Sequence, residues 1–332
     1  MSFFRFLILS SLAYLNFFHG SASAQSPNIP LNIAYVAVSG TQAGLWVAQG
    51  SGLFRKYGLE SRFVYIAGGS RVVQSMLGGD IQIAAAAPSS AVDAALSGAD
   101  LVTVAGMVNV AAFYLVVGPE IKSIQDLRGR PVGITRYGAS TDFTLRYLLR
   151  KSGLEPDKDV SVLQLGGQIE LAAALESGRI VGAITAPPAM VKMENSGGKI
   201  LVAPRNIGLR FPHVGIVARK SYLQSNRDTV KKFLQAYSEG VALLIRDKET
   251  AKKLLQPYVG SADREILEST WKYATDTLER VPHPDPEGIK VVLQDRARTR
   301  PEVAKLSPEQ FIDGSVIQEL EREGFYKKLF AR

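Results

Sequence analysis

Short apolar runs alternate along this chain with longer stretches in which apolar residues recur every three or four positions. From residue 31 the pattern predicts a strand over Leu31–Val38, a helix over Gly40–Tyr57 and a strand over Arg62–Ile66. A helix over Ser70–Leu77 and a strand over Ile81–Ala86 follow. Such alternation is what βαβ units and a largely parallel sheet leave in a sequence.

The pattern then recurs. Ser51-Gly52-Leu53 has a counterpart in Ser152-Gly153-Leu154, Gly68-Gly69 in Gly166-Gly167, and Ser97-Gly98 in Ser196-Gly197. Gly79 with Pro88 nine positions on matches Gly178 with Pro187, and Ala87-Pro88 matches Ala186-Pro187. The offset stays between 98 and 101 residues, so the repeat predicts two similar lobes. The second lobe begins beyond Ile121–Gly133, where Ser123 and Asp126 suit a capped turn and Pro131 leads into a strand. Ile200–Val202 and Val214–Ala218 are extended runs that return the chain, and a helical pattern follows. Ser225 is the expected cap of a helix with Val230, Phe233, Leu234, Tyr237, Val241, Leu244 and Ile245 on its core face. Ser307-Pro308-Glu309-Gln310 reads as another helix start. These carboxyl-terminal helices are expected to complete the first lobe. The chain then crosses between lobes twice, near 110–118 and 205–216, as a two-strand hinge. The expected division is 1–24 as a leader, 25–112 with 214–332 as lobe 1, and 113–213 as lobe 2.

Ligands of an open α/β sheet bind beyond the carboxyl ends of the strands, where loops lead into helix N-termini. Six such loops stand out, three in each lobe. They start at Ser39, Gly68 and Ala87 in the first lobe, and at Arg136, Gly166 and Thr185 in the second. The candidate ligand-binding residues in them are Ser39, Thr41, Gly69, Ser70, Ser89, Ser90, Arg136, Ser140, Thr141, Gln168 and Thr185. Small residues allow close backbone approach, and unpaired N–H groups at a helix start favour an anion. Helix capping alone explains any single loop of this kind; six around one cleft favour a binding site. Arg71 is a second cationic candidate, and Trp46, Tyr65, Phe113, Tyr114 and Tyr137 are candidates for an apolar wall or for core.

The amino terminus reads as a secretory signal. Arg5 precedes a 13-residue apolar stretch, Phe6–Phe18, and Ala22-Ser23-Ala24 has the small-x-small form of a cleavage site. The stretch is shorter than the roughly 20 residues a permanent span needs.

Composition narrows the chemistry further. The 332 residues are 46% hydrophobic and 21% charged, ordinary values for a globular chain. There is no cysteine, which removes thiol nucleophiles, disulfides, Cys-ligated metals and the lipid anchor of an exported lipoprotein. Histidine occurs only at His19, His213 and His283, so no metal site is predicted. His213 lies in the return crossing without a carboxylate near it in sequence, as expected of a hinge or packing residue. No nucleophile elbow, phosphate loop or zinc-type spacing is present, and no catalytic residue or cofactor is predicted. The net charge of +8 suits an anionic small ligand, and no basic run with interleaved aromatics points to nucleic acid.

Leu45-Trp46-Val47-Ala48, Gly52-Leu53-Phe54-Arg55-Lys56-Tyr57-Gly58-Leu59, Gly68-Gly69-Ser70 and Ile121–Gly133 together resemble the nitrate/sulfonate/taurine-type solute-binding proteins of ABC transporters. Asp157-Lys158-Asp159-Val160, Gly166-Gly167 and Phe211-Pro212 with Gly215 fit the same pattern. The resemblance implies a type II periplasmic-binding-protein fold, with two lobes closing on a small solute. It also implies a soluble periplasmic monomer that hands a sulfonate, a carboxylate or an aromatic acid to an inner-membrane permease. By this resemblance the loops around Ser39, Ser70, Ser89, Ser140 and Thr185 face the ligand. Two other readings stay open: an exported enzyme on the same scaffold, and a sensor that reports to a membrane receptor.

Overall fold

The computed structural model describes residues 28–331, so the expected leader lies outside the described residues. The strands are β1 (Ile29–Tyr35), β2 (Leu59–Tyr65), β3 (Ile83–Ala86), β4 (Leu101–Val110), β5 (Tyr114–Val117), β6 (Pro131–Ile134), β7 (Ser161–Gln164), β8 (Gly182–Thr185), β9 (Lys199–Val202) and β10 (Arg210–Arg219). They form two five-stranded sheets, ordered β2-β1-β3-β10-β4 and β7-β6-β8-β5-β9. Each begins with three parallel strands, as the βαβ pattern requires. Each then takes one antiparallel strand from a hinge crossing: β10 between β3 and β4, β5 between β8 and β9. The sheets are therefore mixed where a largely parallel one was expected, because the strand after a crossing enters from the opposite end.

Matched glycines of the repeat share backbone conformation. Gly52 and Gly153 have φ of 73° and 74°, and Gly98 and Gly197 have 87° and 91°. Both positions sit in the left-handed region, where a side chain is strained.

Three local expectations change. The helix expected over Gly40–Tyr57 is a 3-10 turn, Gly40–Gln42, then two helices, Ala43–Gly50 and Leu53–Lys56. The break falls at Ser51-Gly52, where the Ser51 hydroxyl donates to the Val47 carbonyl at 2.6 Å and Gly52 turns left-handed. Ser225 ends a short helix, Lys220–Ser225, and caps nothing; the long helix runs over Arg227–Arg246 with Asn226 at its cap position. After Ser307 comes one 3-10 turn, Pro308–Phe311, since the Ser307 hydroxyl bonds the Glu309 carboxylate instead of a backbone N–H. The next helix starts at Ser315, whose N–H donates to Asp313 at 3.0 Å.

Helix Arg227–Arg246 packs the first lobe. Val230, Phe233, Leu234, Tyr237, Val241 and Leu244 are buried on one face, with Phe233 stacked on Phe54 at 5.5 Å between ring centroids. It crosses helix Ala43–Gly50 where Gly240 meets Gly44, and a Cβ on Gly240 would lie 2.4 Å from the Gly44 carbonyl oxygen. That contact is with backbone, which cannot give way as a flexible side chain can. Gly240→Val is therefore expected to destabilise the protein by about 1–3 kcal/mol through overpacking, read as a lower denaturation midpoint in urea. An unchanged midpoint would mean that the helices separate at little cost.

Candidate functional site

The chain passes between the sheets over Ala111–Phe113 and over Ala203–Leu209. At this junction the strand ends of the two lobes face each other. The first lobe brings Val36, Ala37, Ser39, Thr41, Gly68, Gly69 and Ala87 to one small cavity. The second brings Thr135, Ala139, Ser140, Thr141 and Gln168, the outgoing crossing adds Phe113, and β10 adds His213 and Val214. Its volume is ≈ 30 Å³.

The lobes are shut over it by hydrogen bonds between them. The Gly40 N–H donates to the Pro187 carbonyl at 3.0 Å, and the Arg136 guanidinium to the Ala67 carbonyl at 2.8 Å. Ser89 and Ser90 both donate to the Gly138 carbonyl, at 3.3 and 3.2 Å. Further from the cavity, Arg150 pairs with Asp295 across the junction at 3.0 Å.

Six of the eleven sequence-predicted residues thus line one cavity: Ser39, Thr41, Gly69, Ser140, Thr141 and Gln168. Thr185 stands behind Gln168, its hydroxyl donating to the Gln168 side-chain carbonyl at 2.7 Å. Ser89, Ser90 and Arg136 are used in closing the lobes, and Ser70 is exposed. Arg136 lies against Gly68, where a Cβ would fall 2.2 Å from its Cδ. A bare backbone at Gly68, with φ of 85°, is what lets this arginine cross.

Thr135, Val36 and Ala37 also line the cavity and were not singled out by the loop pattern. Thr135 stands 98 positions after Ala37, so the repeat offset pointed to it as the partner of a strand-end residue. Its backbone N–H and hydroxyl are both tied to the Thr141 hydroxyl, at 3.1 and 2.7 Å. Of the aromatic candidates, Phe113 reaches the cavity; Trp46 is core and stacks on Tyr258. Tyr65 and Tyr137 are partly exposed, and Tyr114 lies beside Tyr273.

The electrostatics of the lining are unusual for a polar site. No Lys, Arg, Asp or Glu lines the cavity. His213 is buried, packs tilted against Phe113 with ring centroids 4.0 Å apart, and accepts the Ala112 N–H on Nδ1 at 3.1 Å. Burial pushes its pKa down to about 3, so the ring is neutral. It pairs with no carboxylate among the described residues, and it ties the outgoing crossing to β10.

Positive potential comes instead from helix ends. Helices Gly69–Leu77, Ser140–Lys151 and Gln168–Glu176 all begin at the cavity. Their cap residues, Gly68, Ala139 and Gly167, make no side-chain capping bond. No side chain caps these three helix starts, so their first-turn N–H groups stay available, whereas Ser39 caps the 3-10 turn Gly40–Gln42 by accepting the Thr41 N–H at 3.4 Å. Each helix end contributes about 0.3–1 kcal/mol toward an anion at an exposed site, and more where water is excluded. Among the described residues there is no group of three or more His, Cys, Asp or Glu that could hold a metal, and no helix is long and apolar enough to cross a membrane.

Residues 40–251 match the family model described as NMT1/THI5 like. The chain belongs to this family. YtlA of Bacillus subtilis (strain 168) is 26% identical over 211 residues, covering 62% of this chain and 63% of its own length. The match thus spans under two thirds of that relative. Among solved structures, the alkanesulfonate-binding protein SsuA from Xanthomonas axonopodis pv. citri, bound to MOPS, superposes with a TM-score of 0.73 at 18% identity. It covers 87% of this chain and 99% of SsuA. The periplasmic nitrate-binding protein NrtA from Synechocystis PCC 6803 gives a TM-score of 0.75 at 14% identity over 89% of each chain. The family member thus has the two-lobed, type II periplasmic-binding fold.

His213 supplies a pH test. Its folded pKa lies below the ordinary value of 6.5, so the unfolded chain binds a proton that the native one does not. The contribution to stability is full above pH 6.5 and is lost as pH falls toward about 3. His213→Phe should therefore lose less stability between pH 7 and pH 4.5 than the parent protein does, by about 1–3 kcal/mol in urea denaturation. Equal losses would show that the ring is not held neutral by burial.

Proposed function

We propose that the protein is the extracytoplasmic solute-binding component of an ABC importer. It captures a small organic anion, a sulfonate, a carboxylate or an aromatic acid, between its lobes and delivers it to a permease. The observation that carries this reading is the convergence of three helix starts without side-chain caps on one cavity of hydroxyl, amide and neutral ring groups. An oxyacid group accepts hydrogen bonds in several directions and carries the charge that helix starts favour. The names of SsuA and NrtA, a sulfonate and a nitrate binder, support the same class.

The moving parts in this reading are lobe 1, about 25–112 with 214–332, and lobe 2, about 113–213. The resemblance of Arg5–Ala24 to a secretory signal supports a periplasmic place of work in this reading. Ligand shifts the lobes toward closure only by the difference between its affinities for the closed and open forms. The closed surface is then what the permease reads.

Calorimetric titration with methanesulfonate, ethanesulfonate, benzoate and nitrate tests the reading, alongside small-angle scattering. At least one anion is expected to bind and to reduce the radius of gyration. No binding, or chemical turnover of a bound anion, would sink it. Because no lining group titrates near neutrality, affinity for a bound sulfonate should stay constant within about twofold from pH 5.5 to 8.5. A tenfold fall across that range would point to an ionising ligand contact.

A further inference from the structure

Neutral groups make most of the contacts that shut the lobes: the Gly40 N–H on the Pro187 carbonyl, and the Ser89 and Ser90 hydroxyls on the Gly138 carbonyl. One contact of a different kind lies away from the cavity. Helix Ser140–Lys151 of the second lobe starts at the cavity and ends beside the end of helix Pro286–Arg296 of the first. There the Arg150 guanidinium meets the Asp295 carboxylate at 3.0 Å. With β10 counted in the first sheet, every other ion pair among the described residues stays within one lobe.

The Asp295 carboxylate is divided between the lobes. Its Oδ2 accepts from Arg296 of its own lobe at 2.8 Å, and Arg296 also grips Asp93 with two bonds, at 2.7 and 3.0 Å. Its Oδ1 accepts from Arg150 of the other lobe. The first lobe thus sets two carboxylates against one close guanidinium, and the exposed Arg298 only grazes Asp295 at 3.7 Å. On the second lobe the nearest carboxylate to Arg150 is Glu155, at 3.8 Å, while Arg146 is taken up by Asp142 and Asp157. Negative charge on one lobe therefore faces a cation that its own lobe serves poorly. The side chains of Arg150 and Asp295 are 27% and 20% exposed, so water and salt screen this pair less than a fully exposed one. Neither residue lines the cavity.

We infer that Arg150 and Asp295 form an electrostatic latch between the lobes. They are positioning residues that set how much of the protein is closed before a ligand arrives, and through closure they set the affinity for every ligand alike. The coupling to affinity rests on the binding-protein reading. A ligand that binds only the closed form has an apparent dissociation constant equal to the intrinsic one divided by the closed fraction. Because the pair touches no ligand, its loss scales all affinities by one factor and leaves their order unchanged. Salt acts on it selectively: the screening length falls from about 10 Å at 0.1 M to about 3 Å at 1 M, and hydrogen bonds between neutral groups do not respond to that change.

The chain has no cysteine, so spin labels on Gln74→Cys and Ala173→Cys, exposed sites on the two lobes, report lobe separation in the ligand-free mature protein. At 0.1 M NaCl, Arg150→Met should raise the ratio of open to closed molecules about two- to fivefold, the effect of a partly exposed ion pair. Arg150→Lys keeps the charge and should stay near the parent. Asp295→Asn should open the lobes as Arg150→Met does, and the double variant should open no further than either. At 1 M NaCl the parent and Arg150→Met should converge. The difference between the two is what is read, since chloride is itself an anion and acts on both. Titration with methanesulfonate, ethanesulfonate, benzoate and nitrate should then show each anion that binds weakened by one common factor in Arg150→Met. Equal separations at 0.1 M, a difference that persists at 1 M, or equal opening in Arg150→Lys would overturn the latch. A loss confined to one anion would overturn it too, by making Arg150 a ligand contact. No binding of any anion would sink the binding-protein reading alone, because the label distances are read without ligand.

Discussion

The structure depends on an exchange of strands across the hinge. β10 completes the first sheet only because the chain comes back from the second lobe, and β5 enters the second as the chain leaves the first. Both strands are antiparallel to their neighbours, so each crossing is short and anchored at both ends by sheet hydrogen bonds. The two crossings are also tied to each other. The Ala111 N–H donates to the Leu209 carbonyl at 3.0 Å, and Ala112 is held on both sides, its N–H by His213 of β10 and its carbonyl by the Tyr273 hydroxyl. The strand ends that meet beside these crossings form the cavity.

What meets there is polar without being ionic. Charged side chains near the junction are engaged elsewhere: Arg136 on a backbone carbonyl, Asp142 on Arg146 and the Gly138 N–H, and Arg296 on Asp93 and Asp295. A lysine or arginine in so small a cavity would cost several kcal/mol in desolvation before any ligand arrived. Helix ends avoid that cost, because their dipoles are fixed by the fold and stay oriented whether or not a ligand is present. The neutral His213 ring fits the same economy, serving as packing and as an acceptor.

Much of this was legible in the chain. The glycine pairs at a near-constant offset announced two lobes, and their paired φ angles give the reason for glycine at both places: the same turn closes the same element twice. The loops at the strand ends were identifiable because small and hydroxyl residues precede helices there. Their roles were not. Ser70 and Gly69 are neighbours, yet one is exposed and the other is at the cavity. A helix start rotates about 100° per residue, and the face that turns inward depends on what the other lobe places opposite. Ser89 and Ser90 likewise close the lobes, since Gly138 of the opposite lobe presents its carbonyl to both.

Apolar spacing, left-handed glycines and the repeat by themselves determined the strands, most helices and the doubling of the fold. These are local properties, fixed by steric limits on φ and by the need of each element to bury one face. The tertiary structure alone decided which hydroxyls point inward, where Arg136 is used, which end of the Gln168 amide meets Thr185, and how little room the inner cavity has. Each of these depends on groups about 17 to 70 positions apart in the chain meeting at hydrogen-bond distance. No local pattern encodes such a meeting, because it is set by how two lobes, each already folded, close on one another.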